Sequence, residues 1–249
     1  MERLRNLVFC LLTLIAPGAT AAPVVLVTAY YPPFAYQEDG QQKGIGVDLA
    51  KAVFARMHQE VRIEFVPFPR AIAMVKSGEA DGIFPFAISA EREKFVRYPS
   101  EIFISDAGTL FVRADSDIVF DPDVSKLARY SFGKQRDAVT NASFVEELRK
   151  YSARIDDSID QEQNILKLIA GRFDIAIGPN LVVQFVAKRM GKGDQIKVLH
   201  SGISEGAAYL AFSKQKDHEQ LIAQFEKTIR KMRQDRSYDN IFRAYAAPQ

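Results

Sequence analysis

His58, His200 and His218, with the single Cys10, are where catalysis or metal binding would first be sought in this 249-residue chain. Their spacing offers neither. The three histidines are scattered without the separations that bring imidazoles to one ion, and none belongs to a Ser-His-Asp grouping. They read as surface or satisfied loop histidines. Acids that could serve a general-acid mechanism, Glu91, Glu101 and Asp137, have no recognisable catalytic partner. What the chain does carry is arginine and aromatic rings in proline-broken stretches, "YYPPFAY" (30–36) and "PFPRA" (67–71). A guanidinium offers two parallel donors to a carboxylate and stays charged at any relevant pH. Arg70 would aim at a cleft if its helix starts there. Tyr31 and Phe68, more than Phe34, sit in loops where a ring serves binding as readily as core. This is chemistry for holding an anion.

The elements that must position these residues come in two sets. "VKSGEADGIF" (75–84) and "LIAGRFDIAIG" (168–178) both read as the end of a helix, a glycine stop, an aspartate and a buried strand. Gly78 and Gly171 stand 93 residues apart, as do Asp81 and Asp174. Around the first corner the pattern predicts a strand at 24–29, a helix at 47–59, a strand at 61–66, a helix at 70–78 and a strand from 81. The prolines and glycines between Tyr30 and Gly46 predict no regular structure. Around the second corner it predicts strands at 129–133 and 153–158, helices at 142–151 and 160–171, and a strand at 173–178. A helix at 180–191 follows. A strand at 207–213 and helices at 217–234 and 238–246 close the chain as a cap returning to the first half. Two βαβαβ runs imply two mostly parallel sheets covered by helices, with a ligand cleft outside the carboxyl ends of their strands.

Bulk properties narrow the class. Arg3 and Arg5, the apolar run from Leu7 to Ala16 and the small-residue site Ala19-Thr20-Ala21 predict a signal peptide cut after Ala21. The run is about half the ~20 apolar residues that a spanning helix needs. Cys10 lies inside it with no small residue before it, so it is not a lipid-attachment site. The remaining 228 residues hold no cysteine, and the core must be built from a chain that is 47% hydrophobic with 18 Phe. The formal net charge of +2 gives no electrostatic case for nucleic acid. A soluble exported protein of two domains is expected, with no cofactor or metal.

Five stretches in order, "YYPPFAY", "GIGVDLAKAV", "IEFVPFPRAIAMVKSGEADGIFPFAISAERE", "DQEQNILKLIAGRFDIAIG" and "IRKMRQDRSYDNIFRAY", carry a resemblance over Pro23 to Tyr245. The chain resembles the family 3 extracellular solute-binding proteins, periplasmic receptors of polar amino acid uptake systems. The resemblance implies an α/β, two-lobed type II periplasmic binding fold. Each lobe would be a βαβ-built, mostly parallel sheet flanked by helices, and two hinge strands near 108–114 and 196–213 would join them. The expected division is a signal peptide at 1–21, a first lobe at 22–113 that returns at 199–249, and a second lobe at 114–198. The ligand would lie between lobes that close by hinge motion, and the closed form would dock on the permease of an ABC transporter.

By the same resemblance Tyr31, with Phe34 nearby, is the ring that packs on the ligand, and Phe68 is a second aromatic position. Arg92, in "ISAER", matches the arginine that grips the ligand carboxylate. Arg70, Phe86, Arg136 and Asn180 complete the expected ligand-binding set. Three departures bear on the ligand. Phe84, Pro85 and Ala87 replace the serine or threonine that members carry before the arginine. The second-lobe loop reads "GKQRDAV" (133–139). Pro179, followed by Asn180, stands where members place the acid that pairs with the ligand ammonium. An ammonium buried without a carboxylate is costly. An ordinary α-amino acid is therefore not expected to bind tightly unless Asp137 or another acid substitutes. Arg70, Arg92 and Arg136 in one cleft would suit a small anionic ligand. A monomer is expected, serving either a permease or a membrane sensor receptor. No kinase or transglycosylase sequence follows Gln249 in this chain, so a fused sensor or wall-lytic enzyme is not expected. A cyclohexadienyl-dehydratase-like enzyme is the remaining alternative, because one fold hosts many functions.

Overall fold

The computed structural model describes residues 22–136 and 141–246. The expected signal peptide and Asp137 lie outside the described residues. The chain begins with β1 (Val24–Thr28), a hairpin of β2 (Tyr36–Glu38) and β3 (Gln41–Lys43), and α1 (Ile45–Arg56). Then come β4 (Val61–Phe65), α2 (Phe68–Ser77), β5 (Gly82–Phe86) and the short strands β6 (Val96–Arg97) and β7 (Ile104–Ser105). The middle of the chain forms β8 (Gly108–Arg113), α3 (Val124–Leu127), β9 (Phe132–Gln135), α4 (Ala142–Lys150) and β10 (Ile155–Ser158). It continues through α5 (Gln161–Ile169), β11 (Ile175–Pro179), α6 (Asn180–Arg189) and β12 (Ile196–Ser204). β13 (Ala207–Ser213), α7 (Glu219–Gln234) and α8 (Ser237–Ala246) end the described chain.

Two sheets carry the same plan. In the first the order is β4-β1-β5-β13-β6, with β1 parallel to β4 and β5 and with β13 antiparallel to β5. In the second it is β10-β9-β11-β8-β12, with β9 parallel to β10 and β11 and with β8 antiparallel to β11. The three parallel strands of each βαβαβ run therefore lie in the order second, first, third, followed by an antiparallel strand, the returning β13 in the first sheet and the entering β8 in the second. The repeated corner has a physical role in both. Asp81 receives the backbone N–H of Val25 on Oδ2 at 2.7 Å, at the start of β1. Asp174 receives the N–H and hydroxyl of Ser131 at 2.9 and 2.7 Å, just before β9. Each aspartate thus ties the entry of its third strand to the entry of its first. Gly78 (φ 80) and Gly171 (φ 67) end α2 and α5 in the left-handed region, where a Cβ is strained.

By strand pairing, the chain leaves the first sheet after Ser105 and enters the second at Gly108. It leaves the second after Ser204 and returns at Ala207. β8 runs on from the first crossing, β12 leads into the second, and the two hinge strands pair with each other inside the second sheet. Crossings at 106–107 and 205–206 correct the boundaries at 113/114 and 198/199, because β8 has both edges paired within the second sheet.

The stretch between Tyr30 and Gly46 is more regular than its prolines suggest. Asp39 (φ 51) and Gly40 (φ 72) link Glu38 to Gln41 in a two-residue turn with both φ positive, which closes a hairpin. At the other end, α7 buries Phe225, Ile229 and Met232. The Phe225 ring lies 6.4, 6.0 and 5.8 Å from those of Phe54, Phe103 and Phe212. A buried side chain of this size contributes about 1.5–3 kcal/mol, so the terminal helices hold the first lobe together, as expected of a returning cap. α8 docks through Tyr245, whose hydroxyl donates to Asp48 at 2.6 Å and accepts from the Gly44 N–H at 2.9 Å.

Candidate functional site

A cavity of about 360 Å³ opens between the two sheets, at the carboxyl ends of their parallel strands. Ala29 and Tyr30 beyond β1, Pro85 and Ala87 around the end of β5, Gln135 and Arg136 at the end of β9 and Pro179 at the end of β11 all line it. The crossings add Asp106 and Gly206. Of the expected set, Tyr31, Phe34, Phe68, Arg92 and Arg136 are in the lining, while Arg70, Phe86 and Asn180 are not.

Arg92 is built into the wall from below. It sits in a single 3₁₀ turn just beyond β5, and its Nη1 donates to the Ala87 carbonyl at 2.9 Å. The same carbonyl receives the Tyr98 hydroxyl at 2.9 Å. The guanidinium lies 4.3 Å from the Phe86 ring centre and 5.7 Å from that of Phe68. A cation over an aromatic face is attracted by the ring quadrupole, and Phe86 is itself stacked on Tyr98. Phe86, 1% exposed, therefore acts as the platform for Arg92 and does not touch the cavity. Burial lowers the Arg92 pKa from its ordinary value. Among the described residues no carboxylate lies within ion-pair distance of it.

Opposite in charge is Asp106, on the first crossing and only 6% exposed. Its Oδ1 accepts from the Leu181 N–H at 2.9 Å and its Oδ2 from the Val182 N–H at 3.3 Å. These are among the amides that the first turn of a helix leaves unpaired. Pro179, at the N-cap of α6, has no side-chain acceptor to offer them, so Asp106 caps the second-lobe helix from the hinge. Burial pushes its carboxyl up to about 6, and the backbone hydrogen bonds pull the other way. The Tyr31 hydroxyl is pushed up, first by its own burial and then by the Asp106 charge. Gly206 packs on the Asp106 backbone so closely that a Cβ would collide with the carbonyl oxygen.

The other expected residues are placed elsewhere. Arg70 is exposed and lies outside the cavity. α2 starts at Phe68, not at residue 70, and two positions turn a side chain roughly 200° around a helix; Phe68 at the first position faces the cavity instead. Asn180 spends its backbone N–H on Ala107 at 3.0 Å and its Oδ1 on Gln184 at 2.7 Å. Glu91 is exposed outside the lining, and Glu101 pairs with Arg230 at 3.0 Å. Asp106, Gln135 and Gln161 were not anticipated. The signal for Asp106 was that it is the only charged residue between Glu101 and Arg113. His218 also departs from expectation: it is buried, its Nε2 lies 3.5 Å from Asp81, and burial lowers its pKa. Among the described residues no three His, Cys, Asp or Glu stand together as a metal site, and no helix is long and apolar enough to cross a membrane.

Twin sheets with a ligand-sized cavity between their strand ends, walled by the guanidinium groups of Arg92 and Arg136 and the buried carboxylate of Asp106, define a two-lobed small-molecule-binding protein. The chain belongs to the bacterial extracellular solute-binding proteins, family 3, whose pattern matches residues 24–248. It is 23% identical over 209 residues to the arginine-binding extracellular protein ArtP of Bacillus subtilis (strain 168), covering 82% of this chain and 78% of that one. Among solved structures, an ancestral arginine-binding protein bound to arginine superposes with a TM-score of 0.71. It is 20% identical and covers 92% of this chain and 100% of its own. A histidine kinase sensor domain with similarity to periplasmic binding proteins also gives 0.71, at 18% identity, over 90% of this chain and 95% of its own. The fold is therefore the two-lobed type II periplasmic binding fold, and the family's proteins work outside the cytoplasmic membrane.

Proposed function

We propose that this protein captures a small carboxylate-bearing molecule, anionic or amino-acid-like, between its lobes and delivers it to the permease of an ABC transporter. The mature chain would be a periplasmic monomer, released by cleavage after Ala21. The observation that carries the reading is Arg92: a guanidinium laid on the Phe86 ring, with no carboxylate partner among the described residues, in the wall of a cavity shared by both lobes. Pockets of a few hundred Å³ with few polar groups suit one small ligand. The arginine-binding relative supports an amino-acid-like cargo. The test is a thermal-shift screen against a metabolite library, since a ligand that binds only the folded chain raises its melting temperature. Arg92→Ala is expected to abolish the shift. Arg92→Lys, which keeps the charge and loses the planar fork, is expected to weaken binding by about tenfold or more. A full shift in Arg92→Ala removes that residue from the site.

One observation favours a second reading. The likeness to a histidine kinase sensor domain supports a signalling use, and the receiving partner would then be a membrane receptor. Ligand-dependent uptake lost on deletion of the gene supports transport, and unchanged uptake with a lost transcriptional response supports sensing.

A further inference from the structure

We propose that a second cavity, shared by the lobes but separate from the cleft, binds a small aromatic anion: a flat apolar body with one negatively charged head. The cavity measures about 750 Å³, larger than the one in the cleft and within the range of small-molecule sites. The two share no lining residue, so this site does not depend on what the cleft holds. Its floor is Ile45 from α1, Phe111 from β8 and Ile196 from β12, all buried. The half-buried rings of Phe185 in α6 and Phe242 in α8 form its sides. Tyr245 also lines it, and because its hydroxyl is spent on Asp48 and Gly44, it offers the site its ring. Walls of this kind favour a flat ring system over a hydrated polar body. The charged lining residues are Lys188, Arg189 and Lys197, with no acid beside them. Arg189 is held by the Tyr30 hydroxyl. Lys188 makes no ion pair among the described residues. Lys197 gives one of its three N–H groups to the Ser116 carbonyl at 2.8 Å. Lys188 and Arg189 stand in the last turn of α6, where the helix dipole favours a cation in any case. Lys197 stands on β12, where no such field acts, and lines the same cavity. Charge of one sign brought from two elements to an apolar hollow concentrates the opposite charge there.

Isothermal titration with 2-naphthoate, and with 2-naphthamide as the same body without the charge, tests the site. The wild-type protein is expected to bind the acid about fivefold or more tightly than the amide, the size of effect that two exposed lysines supply. Lys188→Ala with Lys197→Ala is expected to bring the two affinities together while leaving that of the amide unchanged. Val198 lies at the mouth of the cavity and is 45% exposed. Val198→Trp puts a larger ring there, on a strand position that accepts one, and is expected to weaken both compounds at least about tenfold. Arg92→Ala is expected to leave both affinities as in the wild type, which separates this site from the cleft. Four results overturn the proposal: no binding of either compound at about 1 mM, equal affinity for acid and amide in the wild type, binding that survives Val198→Trp, or loss of the acid in Arg92→Ala. The last would put the acid in the cleft, so that the cleft reading stands while the second site falls. If Val198→Trp does not fold, the lysine pair and Arg92→Ala decide the matter.

Discussion

Asp106 lies in the wall of the cleft with a carboxyl pushed up to about 6, against an ordinary value of 3.8. Between those two values the folded chain binds more protons at this group than the unfolded chain does. Stability from this residue is therefore greatest in acid, falls as pH rises through the window, and is fully lost above about 6. Two pH units correspond to roughly 3 kcal/mol. Without ligand, the stability of Asp106→Asn relative to wild type is expected to rise by about that amount between pH 4 and pH 7. Urea unfolding at the two pH values measures it, and a difference that stays constant would show that the carboxyl titrates normally. Arg92 tolerates burial by other means: Phe86 beneath it and the Ala87 carbonyl beside it replace part of its hydration. The positions of these two residues were not equally legible. Arg92 was readable through the resemblance of "ISAER" to the family's carboxylate-binding stretch. Asp106 was not, because a lone acid before an apolar strand looks like an element boundary, and its partners on α6 lie 75 and 76 residues away.

At the scale of elements, the repeated corner explains why the two lobes share a plan. Asp174 gives Ser131 two hydrogen bonds' worth of acceptor, and hydrogen bonds to charged groups contribute about 1.5–3 kcal/mol each. Asp174→Ala is expected to destabilise the protein by roughly 2–4 kcal/mol, with hydrogen exchange accelerated in β9, β10 and β11 more than in β1, β4 and β5. Uniform acceleration across both sheets would show that the lobes unfold as one unit. This corner, the order of helices and strands, and the closing pair α7 and α8 were legible because each is long or punctuated by a glycine. The β2–β3 hairpin was hidden by the prolines before it, although Asp39-Gly40 is a two-residue turn signal. β6, β7 and α3 have too few residues for any periodicity to register. The start of α2 was set two residues late, since Pro69 fits the first turn of a helix as well as the loop before it. That small shift was enough to aim Arg70 at the cavity when Phe68 is the residue that faces it.

For the whole molecule, function depends on how easily the lobes close, and several contacts already join them. Arg189 in α6 donates to the Tyr30 hydroxyl at 3.1 Å, and the Phe185 ring lies 5.7 Å from that of Tyr36. Asp106 reaches from the first crossing to α6, and its N–H donates to the Gly206 carbonyl at 3.2 Å, fastening one crossing to the other. These contacts fall into two kinds. Asp106 lies in the cleft wall, so changing it alters what the ligand meets. Tyr30 is in the wall as well, but its partner Arg189 is not. Arg189→Ala therefore acts only on the balance between open and closed lobes. When the binding-competent form is a fraction of the whole, the apparent dissociation constant rises in inverse proportion to that fraction. An exposed hydrogen bond of about 1 kcal/mol shifts such a balance roughly fivefold at most. Arg189→Ala is expected to weaken every ligand by one common factor of up to about fivefold, leaving the ratios between ligands as they are in the wild type. Titration with two ligands of different size measures the ratio, and small-angle scattering of the ligand-free variant measures the shift toward open lobes. A ligand-dependent change in affinity would place Arg189 in contact with the cargo, and the separation between closing the lobes and reading the ligand would then fail.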